Sequence, residues 1–313
     1  MKIKIYAVPV RALHMIYLIG EIIMNIKKIG KIKGDQDGAI FNNYLFRFDS
    51  VGTCYVYDIS KFDISVKNTG EINETASFSL DRTEELRPHS NSVMFGCKYY
   101  SKDDEFPLLY TNIYNNYSWT DNKMKGVTLV YRIERNENNF KSTLVQIIEI
   151  GFTENVNYWK SSDEKDDVRP YGNFAIDNEK GIYYAFTMRD KTNTTRYFAF
   201  DLPEVTDGKM DEKYGVNRVV LGVKDIKIQF DCSYQHYIQG ACAYKSKIYT
   251  LEGFTDNEEN PSAMRIVDLT EKKEISFIDL YNMGYTIEPE MIDFWDNVCY
   301  YADNHGNFYI IDF

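Results

Sequence analysis

Short apolar runs separated by polar turns fill the chain from residue 25 to its end. Most runs hold about four to eight residues between Asn, Asp, Gly or Ser, the pattern of strands closed by turns. They predict one strand at 25–32, then groups of four: 39–41, 44–48, 54–59 and 62–66, followed by 92–99, 106–112, 127–133 and 143–150. A third group is predicted at 174–176, 182–187 and 196–202, with 218–221 and 226–230 as candidates for its last strand. The fourth is 241–244, 247–251, 264–269 and 274–280, and the last has only 291–294, 298–302 and 308–313.

Two motifs recur in this frame. Arg87-Pro88-His89-Ser90-Asn91 returns as Arg169-Pro170-Tyr171-Gly172-Asn173, with looser copies at Gln36–Ala39, Ile238–Ala241 and Pro289–Ile292. Each puts one polar side chain just before an apolar run: Asp37, Asn91, Asn173, Gln239 or Glu290. The third run of a group also ends alike, at Asp58, Asp201, Asp268 and Asp312, with Arg132 in the second group. Two independent motifs in one order, five times each, mark a repeat architecture. The expectation is an all-β, five-bladed β-propeller, with a sixth blade between Asn91 and Asn173 as the alternative. The strand at 25–32 supplies the missing fourth strand of the last blade and closes the ring. The Asp residues ending third strands are expected to begin turns by binding backbone N–H groups.

Composition agrees with strands: aromatic residues are 15%, with 26 Tyr, and there are only 7 Pro. A net charge of −11 argues against nucleic acid as partner, because phosphate binding needs a basic face. The five Cys (54, 97, 232, 242 and 299) are odd in number and lack a C-x-x-C pair, so they read as free thiols of a reducing compartment. Residues 1–23 are apolar and mildly basic, but Arg11 and His14 break the run, which is short for a membrane helix. They are read as an extension ahead of a single domain at 24–313. A signal peptide or an anchor is the alternative, which would make the protein secreted or anchored instead of cytoplasmic.

Propeller geometry turns the motif into a candidate site. Loops leading into inner strands share one face with the loops between second and third strands. The first set carries Asp37, His89, Asn91, Tyr171, Asn173, Gln239, Glu288 and Glu290; the second carries Arg47, Arg189, Glu252 and His305. Polar groups in a rigid ring form a default ligand site. Equally, Asn and Gln at inner-strand starts can cap neighbouring strands. Carboxylates near an axis call for a compensating cation, proton or substrate. His89 could serve as acid or base, and His236 is a further candidate. Calcium held by Asp37 and Glu290 with carbonyls fits the ligand chemistry. No phosphate-binding Gly loop, G-x-S-x-G elbow or H-E-x-x-H pair occurs.

The repeated inner-strand starts and Asp-ended third strands resemble five-bladed propellers generally over residues 25–313, and the chain is similar to a bacterial propeller group without an assigned activity. One branch comprises glycoside hydrolases and related sugar-active enzymes, which implies Asp37 as base with His89 or Glu290 as acid. Another resemblance is to gluconolactonase-like metal-dependent propellers, which implies a divalent ion among Asp37, Asn91, Asn173 and Glu290, although that family usually has six blades. Three functions follow: a module binding a small polar ligand or glycan, with Trp119, Trp159 and Tyr171 stacking on sugar and the loop at 112–126 contributing; a glycan hydrolase or lyase; and a protein-interaction scaffold.

Overall fold

Five sheets surround one axis in a computed structural model that describes residues 17–19, 22–65, 70–113, 124–160, 165, 167–189, 191–235 and 237–313. The chain is a five-bladed β-propeller, each blade built on a four-stranded antiparallel meander that runs outward from the axis. Blade one is Gly38–Phe41, Tyr44–Phe48, Thr53–Asp58 and Ala76–Ser79. Blade two begins Val93–Phe95, Leu109–Asn112, Val127–Asn136 and Asn139–Ile150. Blade three is Phe174–Asp177, Ile182–Arg189, Thr194–Asp201 and Ile228–Ser233; blade four is Ile238–Tyr244, Lys247–Glu252, Ala263–Asp268 and Lys273–Ile278. Blade five is Pro289–Trp295, Val298–Asp303 and Asn307–Asp312, completed by Ile22–Lys31.

That last strand closes the ring as expected, pairing antiparallel with Asn307–Asp312 from Asn25 opposite Asp312 to Lys31 opposite Asn307. Met24, Ile29 and Ile32 bury their side chains on this joint. Tyr17–Ile19 adds a further antiparallel strand outside it, so residues read as an extension also contribute backbone to blade five.

Two outer strands differ from the sequence reading. Residues 62–66 do not supply the fourth strand of blade one; a 3-10 turn at Ile59–Lys61 intervenes and Ala76–Ser79 takes the place. Nor does 218–221 belong to blade three. After Asp201 the chain crosses to blade two, lays Val216–Leu221 parallel to Asn139–Ile150 and adds Lys209–Asp211 outside it, then returns to blade three with Ile228–Ser233. Blade two thus has six strands, and the crossing stitches it to blade three. Gln146, fully buried, donates from Nε2 to the Glu204 carbonyl, and Arg218 pairs with Glu149 and Asp211.

The core lies between blades, because each sheet has two apolar faces to cover. Between blades one and two Phe46 is the hub, with ring centroids 5.1 Å from Phe95, 5.4 Å from Phe106 and 5.5 Å from Phe140. Between blades five and one, Ile40, Leu45, Met291 and Phe308 pack together. All five cysteines are free, four of them buried. Asp58 and Asp268 do begin turns, accepting from Ser60 N and from Thr270 and Glu271 N, whereas Asp201 pairs with Lys227. Among the described residues no helix is long and apolar enough to cross a membrane.

Candidate functional site

Inner strands begin on one face of the disc, here called the top, and end on the bottom face. The repeated polar residues all lie at the top, but they do different work. Asp37 is fully buried, and both its oxygens accept from backbone: Oδ1 from Gly38 N at 2.8 Å, Oδ2 from Val93 N at 2.9 Å. The second bond crosses from blade one to blade two, so this carboxyl is a seam latch. Burial holds its pKa well above the ordinary carboxylate range, against the pull of those amides and of Arg47. Asn173 does the same between blades three and four, donating from Nδ2 to the Ile238 carbonyl. Asn91 accepts at Oδ1 from Asn112 Nδ2, inside its own blade.

Gln239 and Glu290 are placed by β-bulges. In blade four the register slips between Ile238 and Gly240, and in blade five between Pro289 and Met291, leaving each polar residue as the extra one. A bulge re-aims a side chain that regular alternation would turn elsewhere. Gly240 makes this close approach workable, since a Cβ there would collide with the Glu290 carbonyl. Gln239 Nε2 donates to Glu288 Oε1 at 2.5 Å. The other Glu288 oxygen accepts from Thr255 N and Asn304 Nδ2, and burial raises the Glu288 pKa with Asp256 adding to it. His305 Nε2 lies 3.4 Å from Asp256 Oδ2.

At the centre of this seam are two buried charges. Arg47 is 0% exposed and Glu290 3%. The guanidinium donates from Nη2 to the Asp303 carbonyl at 3.0 Å and from Nε to the Gly34 carbonyl at 3.4 Å. Arg47 Nη1 and Glu290 Oε2 have no hydrogen-bond partner in the protein. Burial pushes the Arg47 pKa down, opposed first by Glu290, while burial and Glu288 push Glu290 well above its ordinary range, opposed by Arg47. The two therefore sense each other without a salt bridge. Such unsatisfied buried groups each carry a cost of about 1–3 kcal/mol, so they mark a place for a polar guest. A depression of about 330 Å³ runs along the seam of blades five and one, lined by Lys33, Gly34, Asp35, Tyr55, Asn304 and His305 among others. Gly34, whose carbonyl accepts from Arg47 Nε, is the residue it shares with the contacts of the pair.

Other candidates lie outside this cluster. Glu252 is buried but engaged, its Oε1 2.6 Å from Arg265 Nε and its Oε2 accepting from Gln235 N. Arg189 pairs with Asp231 at 2.8 Å on the rim of blade three. Tyr171 packs edge-on to Phe152, with the Lys125 ammonium 5.6 Å from its ring. His89 is half-buried in the loop before blade two. Trp159 does not present a stacking face: it is 3% exposed, packs on Phe198 and donates from Nε1 to Glu154. Trp119, His236 and most of the loop at 112–126 lie outside the described residues. Among the described residues no three His, Cys, Asp or Glu side chains group as metal ligands.

Arg47 gained weight only from structure. Its sequence signal was modest, a lone charge inside the apolar run Tyr44–Phe48.

No protein-family model matches the chain, and no curated protein matches its sequence. Solved structures similar to it are propellers of varied kinds. Myxococcus xanthus glutaminyl cyclase shares 7% identity over 91% of this chain and 98% of that one, with a TM-score of 0.45. The Neurospora crassa Pan2 WD40 domain shares 11% over 91% and 94%, at 0.42. The computationally designed Ika8 protein shares 12% over 91% and 99%, at 0.33.

Proposed function

We propose that the propeller is a binding module that holds a small, hydroxyl-rich ligand, such as a sugar, at the top mouth along the seam of blades four, five and one. The observation that carries this reading is the Arg47 and Glu290 pair: two buried, oppositely charged side chains, each with a polar atom that no protein group satisfies. A hydroxyl can accept from Arg47 Nη1 and donate to Glu290 Oε2, which suits a vicinal diol. Gln239 and Glu288 stand beside the pair as further hydrogen-bonding groups.

The test is a panel of mono- and oligosaccharides screened by thermal shift and saturation-transfer NMR on the full chain, followed by titration of Glu290→Gln and Arg47→Lys. A hydrogen bond to a charged group contributes about 1.5–3 kcal/mol, so each substitution is expected to weaken binding by about tenfold or more. Glu290→Gln is expected to leave the ligand-free fold intact, since it neutralises a buried acid. Unchanged affinity in both variants, or no binding across the panel, rejects the reading.

A second reading, glycan hydrolysis or elimination, draws on Glu290 alone. Burial and Glu288 push the Glu290 pKa upward, the direction that suits a general acid. Asp37 as its base would first have to release Gly38 N and Val93 N.

A further inference from the structure

The bottom face carries a second cavity that the top-face reading does not use. Its volume is about 440 Å³, and all five blades line it, each with the residues that end its inner strand. Aromatic rings form much of the wall: Phe41 from blade one, Phe95 and Tyr99 from blade two, Tyr244 from blade four, Phe294 and Trp295 from blade five. Phe41 sits 5.7 Å from both Phe95 and Trp295, tilted to each, so the rings turn different faces and edges to the cavity.

Carboxyl groups interrupt this wall. Asp177, Glu179 and Asp293 line the cavity against a single ammonium, Lys245. Lys245 is held at the rim, donating to Asn297 Oδ1 at 2.6 Å with its ammonium 5.1 Å from the Tyr244 ring. Asp177 is 3% exposed; its Oδ1 accepts from Glu179 N and Lys180 N, while its Oδ2 has no hydrogen-bond partner. The only cation near that oxygen among the described residues is Lys180, 3.5 Å away and itself donating to Ser246 Oγ at 3.1 Å. Asp293 accepts from Phe294 N at 2.8 Å and from Ile40 N at 2.7 Å. Its enclosed setting pushes its pKa up to about 7, a setting in which an incoming positive charge is favoured.

Aromatic faces and desolvated carboxylates attract the same partner, a cation with an apolar body. We infer that the bottom mouth binds a small organic ammonium ion, its charged head beside Asp177 and Asp293 and its alkyl groups against Phe41, Trp295 and Phe294. An anion is disfavoured by three carboxyls against two ammoniums, Lys245 at the rim and Lys180 beside Asp177, and an uncharged apolar molecule would bring no charge to the excess carboxyl.

The probe is choline, compared with 3,3-dimethylbutan-1-ol, which has the same shape without the charge. Both are titrated into the full chain and followed by calorimetry and ligand-observed NMR. Choline is expected to bind at least about tenfold more tightly than the alcohol, the ratio that a cation–π and carboxylate contribution implies. Asp177→Asn is expected to erase most of that ratio by weakening choline alone. Affinity for choline is also expected to rise between about pH 6 and 8 as Asp293 ionises, with Asp177, Glu179, Lys180 and Lys245 as the charged groups around the same mouth. Equal binding of the two probes, no choline binding at about 10 mM, or an Asp177→Asn variant with the full ratio each overturns the inference. The comparison of probes uses the unaltered protein, so it stands even where a variant fails to fold.

Discussion

Replacing Asp37 by Ala decides whether that carboxyl is a latch or a reagent. In the structure it accepts from Gly38 N and Val93 N, and it is fully buried. Alanine leaves both donors without an acceptor in a place water does not reach. An unsatisfied buried donor costs about 1–3 kcal/mol. Part is recovered, because the raised pKa of Asp37 shows that enclosing this carboxyl is itself unfavourable when it is ionised. A net loss of about 3 kcal/mol is expected for Asp37→Ala, and about half that for Asp37→Asn, whose amide keeps one acceptor oxygen. With an unfolding entropy of about 2.1 cal/mol/K per residue, a chain of this size loses about 1.5 °C per kcal/mol, so Asp37→Ala should melt about 5 °C lower. The assay is calorimetry at pH 7 beside urea denaturation. A reactive carboxylate kept at the expense of stability gives the reverse, since its removal relieves a buried charge. An Asp37→Ala protein as stable as the parent, or more so, refutes the latch.

Asp293 gives a prediction in pH. Its folded pKa, about 7, is raised above the ordinary value, so its contribution to stability is full below about pH 4 and is lost as pH rises through 7. Asp293→Asn should flatten that part of the stability curve, measured as urea midpoints at pH 4.5, 6 and 7.5; an unchanged slope contradicts it. The buried pair of Glu252 and Arg265 gives another. Arg265→Ala leaves a carboxylate buried without its cation and is expected to cost about 3–5 kcal/mol. Replacing both partners by apolar residues, Glu252→Leu with Arg265→Met, is expected to cost less than Arg265→Ala alone, and a double-mutant cycle without coupling would show the pair to be idle.

The sequence determined the number of blades, the closing strand and the position of each inner strand. The reason is local: every blade must present alternating apolar residues to two neighbours, so the same pattern is written five times. It also placed Asp37, Asn91, Asn173, Gln239 and Glu290 at inner-strand starts. Two outer strands escaped, because outer strands face solvent on one side and are weakly patterned; nothing local in Val216–Leu221 says that it pairs in parallel with Asn139–Ile150 of another blade. Roles escaped for a related reason. Asp37 is a latch because Val93 N of the next blade meets it, and Arg47 and Glu290 form a pair because ring closure brings blade five against blade one. The bottom cavity existed in no motif at all: Phe41, Asp177, Tyr244 and Trp295 end four different strands, and only the common axis makes them neighbours. Which residues a side chain meets across a seam is a long-range property of the closed ring, set by tertiary packing and not by spacing along the chain.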